Sequence, residues 1–223
     1  MDPVRLLSFA LPIMSAGVVA AAGGHIGTSR SRGLVQASDP CTQAADSTPL
    51  ITADSIGPLD VRLTLAQLRR ICPSGKSAYS YGEESRNNAI LFRLGSVDAL
   101  ASQAINPGEP LVPESPADIW FVTGRAARLP SGLTLASSFG QLKAAYGSGV
   151  ARITDRVTVE FCSLPRLQFA VAKPVGIPAL GRTDSLGVIP DTSAIRAVWV
   201  ASGATGDTYS MCKTWRRWHR PPH

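Results

Sequence analysis

Histidine is nearly missing from this 223-residue chain: there are three, and none lies between positions 26 and 218. Most histidine-based acid–base catalysis, nucleophile activation and zinc ligation is thereby removed from the body of the protein. Charge is sparse as well, at 17% of positions against 44% hydrophobic, with Gly and Pro well represented. That balance excludes a disordered polar chain, a coiled coil and a polytopic membrane protein. Cysteine is limited to Cys41, Cys72, Cys162 and Cys212, with no C-x-x-C pair and no histidine nearby, so a thioredoxin-like redox site and a Cys/His zinc site both lack their ligands. A G-x-S-x-G nucleophile elbow is also absent. PSGKS at 73–77 resembles the end of a phosphate loop, but Arg70 stands where the first glycine is required and the segment follows a helix signal, so it reads as a helix stop.

The charge that is present is unevenly placed. The net +6 arises from Arg30 and Arg32 and from the segment MCKTWRRWHRPPH at 211–223, while residues 33–210 hold 15 basic and 15 acidic side chains. A neutral body has no basic face for nucleic acid, and no nucleic-acid partner is expected. In the tail, Lys213, Arg216, Arg217 and Arg220 alternate with Trp215 and Trp218. Tryptophan favours the lipid interface and arginine the phosphates, which makes these six residues a candidate anionic-surface site. The alternative is a basic tail without a role.

Residues 1–22, MDPVRLLSFALPIMSAGVVAAA, combine an early arginine, an apolar run and a small-residue A-x-A-like end, the pattern of a secretory signal peptide. The competing reading, an uncleaved membrane anchor, is disfavoured because the run contains Pro12 and Gly17 and falls short of the ~20 residues that span a bilayer. Export to a periplasmic or extracellular location makes disulfides the expected use of the four cysteines, in any of three pairings. Residues 23–49 read as a flexible leader.

Two helix signals stand out in the body. Thr64 with Gln67 forms a capping box ahead of the stripe Leu65, Leu68 and Ile71 or Cys72, and Pro73 and Gly75 stop the helix. Seventy-four residues on, Ser138 with Gln141 precedes Phe139, Leu142 and Ala145 or Tyr146, and Gly147 stops it. Strand patterns follow each: AILFRL (89–94), the ambiguous VDALASQAI (97–105) and DIWFVTG (118–124), then VARI (150–153), VTVEFCSL (157–164), RLQFAVA (166–172) and AIRAVWVAS (194–202). Val157, Val159 and Phe161 alternate with Thr158, Glu160 and Cys162 as in a half-buried strand, YGEESRNN reads as a polar loop, and Trp120 and Trp199 read as core or inter-sheet packing. The expected fold is α+β: two similar units, 50–124 and 125–210, each a short capped helix packed on an antiparallel meander.

The phrase IGPLDVRLTLAQLRRICP resembles the repeat opening "GIGPxxxGMTxxELxxxx" of exported bacterial envelope proteins, with Arg62 and Leu63 where Gly-Met is usual. The tandem arrangement is similar to the beta-lactamase-inhibitor-like and outer-membrane-assembly small-lipoprotein folds. The resemblance implies a noncatalytic binding scaffold with a protein or cell-envelope partner and no cofactor. Two other readings stand beside it: a secreted hydrolase using a pair of carboxylates, and an envelope binder acting through the tail.

Overall fold

The computed structural model describes residues 39–43, 48–81, 86–103, 108–202 and 210–212. The fold is α+β, as the sequence predicts. A short helix α1 (Pro40–Gln43) and a two-stranded ribbon, β1 (Ser55–Ile56) with β2 (Leu59–Asp60), lead into helix α2 (Leu65–Ile71). A meander follows: β3 (Lys76–Tyr81), β4 (Arg86–Leu94), β5 (Val97–Ser102) and β6 (Ile119–Thr123). The second half repeats the order with helix α3 (Phe139–Tyr146), β7 (Gly149–Ile153), β8 (Val157–Phe161) and β9 (Leu167–Val171), then the short β10 (Gly181–Thr183) and β11 (Ile195–Ala201). All nine strands from β3 onward form one antiparallel sheet in the order β10-β7-β8-β9-β11-β6-β5-β4-β3, so the last strands of the two halves, β6 and β11, meet at its centre.

Both predicted capping boxes form. Thr64 and Ser138 accept from the backbone amides of Gln67 and Gln141, whose side chains accept from the cap amides in return. Such a box satisfies two of the four amides that a helix start leaves without partners. Loop carbonyls satisfy two more, in the same way in each half. Leu65 and Ala66 donate to Ser115 and Pro113, at 3.0 and 2.8 Å, and Phe139 and Gly140 donate to Ser193 and Asp191, at 2.9 and 2.8 Å. Each helix is therefore held at its N-terminus by the loop that precedes the last strand of its own meander.

Leu65, Leu68, Phe139 and Leu142 are buried against one face of the sheet. Phe92, Trp120, Val198, Phe169 and Phe161 project from that face into the same core, which runs through both halves. Gly124 ends β6 with φ +117°, and a Cβ there would lie 2.5 Å from the Ser96 carbonyl, so the crossing of the first half into the second requires glycine.

Strand β3 escapes the sequence reading, and β4 starts three residues before its predicted apolar run. Lys76 and Ser77, read as helix stop, open β3, and the polar stretch YGEESRNN contributes Tyr81 to β3 and Arg86–Asn88 to β4. Short polar edge strands carry little apolar alternation, and here the pairing with β4 decides the conformation. The ambiguous stretch 97–105 is strand β5 through Ser102.

Candidate functional site

The pleat gives the sheet a second face, opposite the helices. One register row across it reads Lys76, Leu91, Leu100, Phe121, Trp199, Gln168, Glu160, Val150, each residue directly opposite the next on the neighbouring strand. Leu91, Leu100, Phe121 and Trp199 are each partly exposed, and the Phe121 and Trp199 rings lie 6.2 Å apart, tilted. Trp199 thus differs from Trp120: the sequence reading places both in core or inter-sheet packing, but only Trp120 enters the core. Alternation alone separates two faces without saying which one the helices cover.

At the β8 end of this row the face is closed. Glu160, expected on the polar side of a half-buried strand, is fully buried. Ser210 Oγ donates to its Oε1 and the Met211 amide to its Oε2, both at 2.6 Å. Val150, Met211 and Cys212 form a small apolar cluster around this contact, and the Cys162–Cys212 disulfide fastens residues 210–212 to the sheet. Ser210 also stands three residues before Lys213, the S-x-x-K spacing of some serine acyl-transfer sites. Its hydroxyl is turned onto Glu160 and is buried, and Lys213 lies outside the described residues.

Burial pushes the Glu160 carboxyl up from its ordinary value of 4.5, partly offset by the donors from Ser210, Met211, Cys212 and Gln168. The folded protein therefore holds this proton more tightly than the unfolded chain. The associated stability is present below the ordinary value and is lost as pH rises through the raised one. Glu160→Gln mimics the protonated form, since its oxygen can accept from Met211 and its amide can donate to Ser210. Urea unfolding at about pH 4 and about pH 8 should show wild type losing stability relative to this variant at the higher pH. A difference that does not change with pH would contradict the assignment.

A second concave feature lies on the helix side, at the β3 edge. A cleft of about 340 Å³ opens between α2, the β3–β4 hairpin and the proline-rich loop. Ala66 and Arg69 line it from the helix, Ser77 and Tyr79 from β3, Asn88 and Ile90 from β4, and Pro110, Leu111 and Pro113 from the loop. Buried Gln103 shapes the loop wall. Its side-chain amide donates to the carbonyls of Val112, Ser115 and Pro116, and its oxygen accepts from the Val112 amide at 2.8 Å. Asn88 adds a 2.7 Å bond to the Glu109 carbonyl. Nothing in the sequence marks Gln103 for this task, because its partners are backbone groups nine to thirteen residues away.

The four cysteines form two bridges, Cys41–Cys72 and Cys162–Cys212. The first pins Pro40–Gln43 to the end of α2, so part of the predicted leader belongs to the folded body. Asp39, Cys41 and Cys72 gather ligand-type atoms, but both sulfurs are spent in the bridge and the Asp39 carboxylate accepts from the amides of Cys41 and Ser74. Burial raises the Asp39 pKa, but the Ser74 side chain and the Cys41, Ser74 and Thr42 backbone groups outweigh that and lower it overall. The signal segment and the tail candidates Lys213, Trp215, Arg216, Arg217, Trp218 and Arg220 lie outside the described residues. No described helix is long and apolar enough to cross a membrane.

No protein-family model and no curated protein matches the chain. One solved structure is similar to it. That structure is the uncharacterized protein yfeY from Escherichia coli, with 10% sequence identity, covering 68% of this chain and 99% of that chain at a TM-score of 0.46.

Proposed function

We propose that this protein is an exported, noncatalytic binding module of the cell envelope, built from two related helix-and-meander units, and that it grips a protein partner with the open face of its sheet. The observation that carries this reading is the row Leu91, Leu100, Phe121 and Trp199, four large apolar side chains side by side on adjacent strands and partly exposed. Aromatic and aliphatic side chains on a rigid sheet suit protein recognition, because anchors already held in place lose little entropy on binding. The two disulfides support export, since such bonds persist in oxidising compartments. The matched N-terminal anchoring of α2 and α3 supports the relatedness of the two units.

Leu100→Arg places a charge in the middle of the row without touching the core face. Affinity capture from the native envelope fraction should retain a defined partner on wild type and lose it by roughly ten-fold or more on the variant, with thermal unfolding little changed. Equal retention by both proteins would remove the open face from the proposal.

A further inference from the structure

We propose that the cleft beside β3 binds an extended acidic peptide segment, whose carboxylate pairs with Arg69 while its backbone runs along the sheet edge. This surface is distinct from the open face and stands independently of it. The two halves of the molecule supply the argument. Arg69 and Lys143 hold the same position in α2 and α3, five residues after the N-caps Thr64 and Ser138. In the second half the loop supplies an acid: Asp191 Oδ1 lies 2.5 Å from Lys143 Nζ, and the Asp191 carbonyl accepts the Gly140 amide. In the first half the residue that accepts the equivalent amide, from Ala66, is Pro113, which has no carboxylate to offer. Arg69 is left with Ser77 Oγ at 3.4 Å and no ion pair among the described residues.

Space follows the same contrast. A Cβ on Gly140 would come within 2.6 Å of the Asp191 side chain, so the second half is closed at this place. At the corresponding place Ala66 lines the 340 Å³ cleft, where Arg69 is the only charged lining residue among the described residues. An incoming carboxylate at Arg69 would restore in the first half the pair that the second half contains.

The edge strand selects a peptide over a small acid. β3 is the terminal strand of the sheet, six residues long, with no proline and with Lys76 at its first position. The opposite edge, β10, has three residues, among them Gly181 and Arg182. Short edges resist strand addition, whereas a longer one whose single charge stands at its first position leaves the following residues open to it. Ser77 and Tyr79 line the cleft at alternate positions of β3, so an added strand would direct alternate side chains over it. Gln103 and Asn88 hold the far wall in place before any ligand arrives.

The test uses the full chain and a set of labelled short peptides that alternate apolar residues with threonine. Each peptide is made with aspartate, asparagine or lysine at one position and titrated by fluorescence anisotropy. The aspartate members should bind saturably and roughly ten-fold or more tighter than their asparagine and lysine matches. Arg69→Ala should abolish that preference with unchanged melting, because Arg69 is exposed. Pro113→Asp, which supplies the acid internally, should weaken the aspartate members by a similar factor. Hydrogen exchange should slow at β3 amides in the complex. The proposal is overturned by aspartate and asparagine binding alike, by a preference that survives Arg69→Ala, or by the absence of saturable binding across the set. Binding of free glutarate as tightly as the peptides, or peptide binding without protection of β3, would overturn the strand-addition geometry.

Discussion

Replacing both Cys41 and Cys72 with alanine should lower the unfolding free energy by about 3–4 kcal/mol, the loop-closure value for a bridge of this span. The bridge joins positions 31 residues apart, and both cysteines are buried in the principal core. Without it the unfolded chain regains the entropy of an open loop, and the Ser74 amide bond to Asp39, 35 residues away in sequence, remains to hold this segment beside the end of α2. For a chain of this length the midpoint of thermal unfolding should fall by roughly 10 °C. Urea titration of the double variant against wild type measures the effect, with the Cys162 and Cys212 double alanine variant as comparison. The second bridge spans 50 residues and also fastens residues 210–212 over Glu160. Its loss should release that closure as well as destabilise the whole fold. A cost below about 1 kcal/mol for the first bridge would mean that α1 detaches without disturbing the core. Protein from its native source should show no free thiol when denatured. Four free thiols would argue against an oxidising location.

Trp120→Ala should cost about 3–5 kcal/mol, as large-to-small changes of buried aromatics do. Trp120 is fully buried on β6, opposite Ala101 of β5 and Val200 of β11, and its ring centroid lies 5.8 Å from that of Phe92. It therefore packs where the two halves join, and the cavity would weaken both. Trp120→Phe separates packing from polarity. The indole Nε1 has no hydrogen-bond partner among the described residues, so phenylalanine removes a buried donor that gains no bond, and the loss is one of volume. The expected cost is about 1–2 kcal/mol, well below that of alanine. Circular dichroism melts of the two variants check the ordering. Equal losses would show that the indole N–H contributes after all, and a melt in two separate steps for the alanine variant would show that the halves unfold independently.

The local signals were legible in the sequence because their causes are local. Capping needs only a hydroxyl and an amide side chain three residues apart, so Thr64 with Gln67 and Ser138 with Gln141 announced both principal helices. Alternation announced β8 and β9, and short apolar runs announced β4 and β11. β3 and β10 were not legible, since each is polar or short and takes its conformation from a partner strand. The candidate surfaces were less legible still. Gln103, Asn88 and Glu160 are ordinary polar residues in the sequence and acquire their roles through contacts 20 to 52 residues away or with the backbone of a loop.

The sequence by itself determined the α+β class, the two capped helices, the core stripe on each and the neutrality of the body, because propensity, periodicity and charge are properties of neighbouring residues. Tertiary structure alone decided the cysteine pairing, the joining of both meanders into one sheet through β6 and β11, the closure of Glu160 beneath residues 210–212, and the contrast between Lys143 with Asp191 and Arg69 without an ion pair among the described residues. Each of these depends on which distant segments meet. That is set by the packing of the whole core, and no window of sequence contains it.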